Sequence, residues 1–279
     1  MGKVVLLFIL LLGGCSSDPQ VLRPGLQAYD QHRWSDAAVA FEAVLRDVEN
    51  SAPRSPLAAM TLYYLGSTRQ QQGRPADAEP LFRRALDIFE AQSAVADREA
   101  ARVYGYTLND LATVYASEAK ESTEPSVTQK KFEQAEPLFR RALAVREEAL
   151  GQDHRDVGKS LENLMFLYVD WRRWTEADVA AQRAVSFYER QAGPEDPLVG
   201  HLLEGLAGIY LYQGRLAEAE PVVQRSISIM EKALGPNHPR MATLLESFAG
   251  ILRSTGREAD AHDFETRAKV IRGTASKSP

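Results

Sequence analysis

Cysteine is almost missing: Cys15 is the single one among 279 residues, which excludes an internal disulfide framework and a multi-cysteine zinc site. No run of basic residues occurs, and 33 Lys+Arg against 38 Asp+Glu leave a formal net charge of −5. A nucleic-acid binder needs a positive footprint, and this chain lacks one. The apolar stretch Val4–Leu12 is only nine residues long, about half of what a helix needs to cross a bilayer. Histidine is scarce, at five residues. No nucleotide-binding glycine loop, Gly-x-Ser-x-Gly elbow or His-Glu-x-x-His pair is found. The expectation is therefore no enzyme, no metal and no cofactor. What is present is ordinary, with 44% hydrophobic and 25% charged residues, a balance that buries a core.

The lone cysteine sits where it is informative. Residues 1–15 place Lys3 before the apolar run and Gly13 and Gly14 directly before Cys15. A run of that length suits the core of a signal peptide. Leu12, Gly13, Gly14 and Cys15 resemble the lipobox of bacterial lipoproteins. That resemblance implies cleavage after residue 14, lipidation of Cys15 as the new N-terminus, and a polar tether over residues 15–20. It also implies anchoring in the cell envelope, and Ser16 favours the outer membrane, facing the periplasm. The competing reading is a plain secretory signal in which Cys15 is incidental.

Internal repetition governs the rest. Glu79–Leu86 reads EPLFRRAL, and Glu136–Leu143 repeats it letter for letter. Around these segments a longer frame recurs, led by Ala37, Ala78, Ala135, Ala177, Ala219 and Ala261, at spacings of 41, 57, 42, 42 and 42 residues. A bulky or apolar residue follows each of these alanines by three or four positions, and in most units a small one by seven. Before each alanine from the second unit on runs another apolar segment, marked by Leu65, Leu111, Leu164, Leu206 and Phe248. Apolar residues fall at three- and four-residue spacing throughout, which predicts helices. Gly73, Gly214 and Gly256 fall between the two helices of a unit, and Gly151, Gly193 and Gly235 open the turns between units. A helix pair of this size cannot bury its apolar face alone, so neighbouring pairs must stack.

This frame resembles tetratricopeptide repeats, in the longer variety of about 42 residues found in kinesin light chain. The resemblance implies an all-α fold, a right-handed α-solenoid of about six helix pairs over residues 21–271. The first and last units depart from the pattern: Pro24 and Ala28 stand where Leu and Tyr are usual, and Glu258 where an aromatic is usual. Terminal faces meet water, so such departures are expected there. The extra residues between Ala78 and Ala135 are read as a longer approach over 92–102 and a solvated loop over 120–130. Residues 272–279 read as a disordered tail.

In tetratricopeptide folds the first helix of each unit lines an inner groove that takes peptides or protein segments. Carried over to this chain, the groove candidates are Tyr63, Tyr106, Asn109, Glu162, Asn163, Phe166, Glu204, Gly208, Glu246 and Gly250. Glu162, Glu204 and Glu246 repeat at 42 residues, so they hold one register. They form either a carboxylate row for a Lys/Arg-bearing partner or ordinary solvated surface. Tyr63, Tyr64 and Tyr106 offer an aromatic, uncharged surface in the N-terminal half. Gly208 and Gly250 sit inside helices at a cost of about 1 kcal/mol each, explained by a close partner, a neighbouring helix or drift. His154 and His238 hold equivalent turns, which points to a turn role. Trp34, Trp171 and Trp174 read as packing within units. Arg84, Arg141, Arg183, Arg225 and Arg267 read as a solvated row on the second helices.

The expected function is a membrane-anchored interaction scaffold that binds a protein or peptide partner. The resemblance extends to tetratricopeptide lipoproteins that assist envelope machines. A peptide-sensing regulatory module is the alternative, and a cryptic enzyme the remote one.

Overall fold

A computed structural model describes residues 19–92, 98–254 and 256–275, so Cys15 and the other residues of the leader lie outside the described part. The described chain is all-α. A short 3-10 turn, Pro19–Leu22, leads into α1 (Arg23–Asp30), α2 (Trp34–Ser51), α3 (Pro56–Gln71), α4 (Pro75–Glu90) and α5 (Arg98–Glu121). There follow α6 (Pro125–Leu150), α7 (Arg155–Asp170), α8 (Trp174–Ala192), α9 (Pro197–Tyr212), α10 (Leu216–Leu234), α11 (Pro239–Ser254) and α12 (Glu258–Ala275). These are the six helix pairs of an α-solenoid, and the described residues divide into two compact units after Ser117.

Starts and stops follow from local chemistry. Pro56, Pro75, Pro125, Pro197 and Pro239 open their helices, where a missing N–H costs nothing. Ser55 and Asp196 cap α3 and α9 by accepting the N–H of Ala58 and Leu198 at 3.2 and 2.8 Å. His154 and His238 do the same with Nδ1, accepting from Asp156 and Arg240 at 3.3 and 3.1 Å. Their turn role is thereby given a mechanism.

Packing within a pair depends on the smallest side chains. Ala37, Ala78, Ala135, Ala177, Ala219 and Ala261 are all 0% exposed. On the opposite helix, a Cβ added at Gly66 would stand 2.7 Å from Cε1 of Phe82. The Phe82 ring therefore lies directly on the α3 backbone. Gly25 and Phe41 repeat this arrangement in the first pair.

Two expectations are corrected. Residues 120–130 are not a solvated loop: α5 runs to Glu121 and α6 starts at Pro125, leaving Ser122–Glu124 outside regular helix. The additional residues lengthen α5 and α6 to 24 and 26 residues. Polar composition misled, because an exposed helix surface is as polar as a loop, and Pro125 starts a helix here instead of breaking one. The first turn of α6 is also held, with Gln129 accepting the indole N–H of Trp171 at 2.8 Å. Likewise the expected disordered tail from 272 is helical to Ala275, and residues 276–279 lie outside the described part.

The turns separate glycine-requiring positions from glycine-preferring ones. Gly193 has φ 97 and ψ 158, a region essentially reserved for glycine, and a Cβ there would touch nothing within 4 Å. Gly193→Ala is thus a pure backbone test, expected to lower stability by about 1–3 kcal/mol. Arg172 holds φ 57, the left-handed place that Gly73, Gly214 and Gly256 fill in other units. Arg172→Gly should raise stability by about 0.5–1 kcal/mol, since the steric relief exceeds glycine's entropic cost. Urea midpoints that move in the same direction for both variants would contradict this account.

Candidate functional site

In the second unit the first helices of successive pairs are joined laterally. A Cβ at Gly205 on α9 would lie 3.4 Å from Cε of Met165 on α7, and one at Gly208 would lie 3.3 Å from Cδ1 of Ile251 on α11. Equivalent positions of α7, α9 and α11 then form rows at 42-residue spacing. One row is Lys159, His201 and Thr243; the next is Glu162, Glu204 and Glu246. Beyond them run Asn163, Gly205 and Ser247, then Phe166, Gly208 and Gly250, and finally Asp170, Tyr212 and Ser254. Phe166 and Tyr212 are 45% and 48% exposed, the two aromatic members of the exposed large apolar side chains among the described residues.

The three glutamates have different partners. Glu162 accepts the hydroxyl of Tyr188, and burial together with that carboxylate holds Tyr188 protonated well above the ordinary tyrosine range. Glu246 is held by both ends of the Arg272 guanidinium. Glu204 has His201 at 3.4 Å. Gly208 is buried against Ile251, so a neighbouring helix accounts for it. Gly250 is exposed, and a Cβ added there would meet nothing within 4 Å, so no neighbouring helix explains it.

The first unit behaves otherwise. Tyr63 is 8% exposed, stacked on Tyr106 at 6.1 Å, and donates its hydroxyl to Oδ2 of Asp110 at 3.2 Å. Tyr29 meets Ser67 at 2.7 Å one turn further on. Asn109 donates to Oδ1 of Asp110 at 3.1 Å, and the Arg102 guanidinium lies over the Tyr106 ring at 5.7 Å. The expected open, uncharged aromatic surface is therefore corrected. Tyr63 is filler between α3 and α5, because rings on neighbouring helices close over it, and Arg102 and Asp110 bring charge among the rings.

Two sets of ion pairs run along the second helices and the turns that lead into them. Arg84, Arg183, Arg225 and Arg267 each reach the glutamate 35 or 36 residues earlier: Glu49, Glu147, Glu189 and Glu231. The row is exposed, as read, and it also ties consecutive second helices. Further, Arg173 reaches back to Glu136 at 2.6 Å and forward to Glu176 at 2.9 Å. Arg215 does so with Asp178 at 2.5 Å and Glu218 at 2.8 Å, and Arg257 with Glu220 and Asp260. The signal was available: three arginines and two rows of three acidic residues recur at 42.

Aromatic side chains close the turn end of these pairs. Trp174 stacks on Tyr212 at 4.8 Å and Trp171 on Phe132 at 5.6 Å. The tryptophans therefore pack between units as well as within them. Among the described residues no group of three His, Cys, Asp or Glu is arranged to hold a metal, and no helix is long and apolar enough to cross a membrane.

Comparison with known proteins comes to the same architecture. Models described as tetratricopeptide repeat match residues 25–91 and 198–269, and 127–156. BtubC (BKLC) from P. vanneervenii is 16% identical with a TM-score of 0.61, over 88% of this chain and 93% of that one. The nearly identical TPR-like repeats of a Podosopora anserina protein described as a kinesin light chain are 18% identical with a TM-score of 0.62, over 80% and 98%. The apo form of RapI is 12% identical with a TM-score of 0.58, over 92% and 98%. Identities this low speak to the fold alone. No curated protein matches the sequence.

The closed aromatic cluster of the first unit predicts an alkaline limit to stability. Burial, ahead of the nearby Glu99 carboxylate, pushes Tyr64 up to about 12. The unfolded chain loses that proton near pH 10, so the stabilisation is present below pH 10 and is lost as pH rises to about 12. Urea titrations between pH 10 and 12 should show a shallower decline for Tyr64→Phe than for the parent. Equal slopes would mean that the ring is not buried in solution.

Proposed function

Because the chain belongs to the tetratricopeptide-repeat family, we propose that it is a non-catalytic scaffold that holds a peptide or protein segment across the first helices of its second unit. The observation that carries this reading is the exposed face of α7, α9 and α11, where Phe166 and Tyr212 stand half exposed and a Cβ added to the α11 backbone at Gly250 would meet nothing within 4 Å. A partner main chain can approach such a surface closely. The second helices are committed elsewhere, since their charged rows are used in pairing unit to unit. The acidic row further favours a partner segment with basic side chains, because complementary charge sets specificity and association rate.

The same proposal puts the protein on a membrane. Cys15 within its lipobox-like setting supports lipid anchoring in a bacterial envelope, with Ser16 favouring the outer membrane and a role beside an envelope complex. More than one acyl chain gives stable attachment, and the solenoid then hangs on a short tether.

Two measurements test the two halves. Cys15→Ser should move the protein from the membrane fraction to the soluble fraction; continued sedimentation with membranes would end the anchoring reading. A photo-crosslinking residue placed at Phe166 or Ser247 should capture a partner in the native cell, and one at Val179 on the second helix α8 should not. Capture from Val179 alone would move the binding face to the second helices.

A further inference from the structure

The second helices do not serve the glutamate row equally. Tyr188 and Arg272, the donors to Glu162 and Glu246, each stand 26 residues beyond their glutamate. The same step from Glu204 arrives at Met230, which is 4% exposed and has no proton to donate. Glu204 is left with the imidazole of His201 at 3.4 Å, while its side chain keeps 27% exposure. That contact is long for a hydrogen bond and carries charge only when the imidazole is protonated. Glu246 shows what the position accepts when a cation is within reach: a guanidinium on both carboxylate oxygens.

Glu204 also stands at the edge of exposed apolar surface. Gly205 and Gly208 follow it on α9, and Met165 touches the Gly205 position at 3.4 Å. Phe166 is the next residue of α7 after Met165. Tyr212 lies one turn beyond Gly208 on α9, with its ring stacked on Trp174 at 4.8 Å and an interplanar angle of 6°. Tyr212 is nonetheless 48% exposed, so much of that ring still meets solvent. A carboxylate beside apolar surface is poorly compensated by water once a ligand covers it, and an incoming cation then gains more than it would in open solvent.

Resting on the groove reading above, we infer that the lane between Phe166 and Tyr212 takes an extended peptide in which a Lys or Arg adjoins an apolar residue. The cation pairs with Glu204, and the apolar side chain packs between the two rings. An acidic peptide is refused, because its charge would meet Glu204, which no guanidinium or ammonium pairs among the described residues.

The test uses the full-length chain in detergent and a displayed library of random nonapeptides. Selected sequences should be enriched in Lys or Arg next to Leu, Ile, Phe or Met. A labelled peptide from that pool should bind at least tenfold more weakly to Glu204→Gln and to Phe166→Ala. Its affinity should also respond less to salt in Glu204→Gln. Val179→Ala, on the second helix α8, should stay within twofold of the parent, since that exposed residue lies off the first-helix face. Selected peptides without a basic residue, or an unchanged affinity in Glu204→Gln, overturn the inference, as does a library that yields no binder. Crosslinking of a non-basic peptide from position 166 would separate the outcomes, leaving the groove reading standing and this one refuted.

Discussion

The closeness of the two helices in each pair is the constraint on which the other features depend. Two backbones can approach only where side chains are very small, and the six leading alanines are each fully buried at that place. At Gly66 even a methyl group would overlap the Phe82 ring. Dense packing of this kind leaves no space to enlarge a residue without moving a helix, which costs about 1–3 kcal/mol. Once the pair is fixed, the remaining faces of each helix are assigned. One face meets the next pair, and on α7, α9 and α11 another is left to solvent.

Helix pairing is therefore what the sequence displays most clearly. A requirement for alanine at one point of every unit leaves a periodic mark, which is why all six pairs can be counted along the chain itself. Orientation around a helix leaves no comparable mark. Tyr63 holds the register of Asn109 and Glu162, yet it is enclosed because Tyr106 covers it and Asp110 takes its hydroxyl. Those neighbours come from another helix, and spacing along α3 does not reveal them. The stretch 120–130 was misjudged for a different reason. Its polar residues coat the ends of two long helices, and composition does not distinguish that from a loop.

Charge in the second unit is used in two ways. On the second helices and at their N-caps, arginines reach 36 or 37 residues back to an acidic residue of the preceding pair, as Arg183 does to Glu147 and Arg215 to Asp178. Each exposed pair alone contributes little, but a set repeated at every step selects the register in which one pair follows another. On the first helices the glutamates are met individually, by a hydroxyl, an imidazole or a guanidinium. The regular set serves assembly of the solenoid, and the irregular set distinguishes one part of its surface from another.

The fixed reach of these arginines bears on how such a chain could have grown. Between Ala135 and Ala261 the unit is 42 residues, and each arginine's acceptor lies at the same offset in the unit before it. A gene duplication that inserts one whole unit anywhere in that span recreates every ion pair at both new junctions without a compensating mutation. An insertion of any other length breaks the pattern on one side. The chain is thus tolerant of gain or loss by whole units and intolerant of fractions. The 57-residue step between Ala78 and Ala135 stands outside that arithmetic, absorbed by the lengthened α5 and α6.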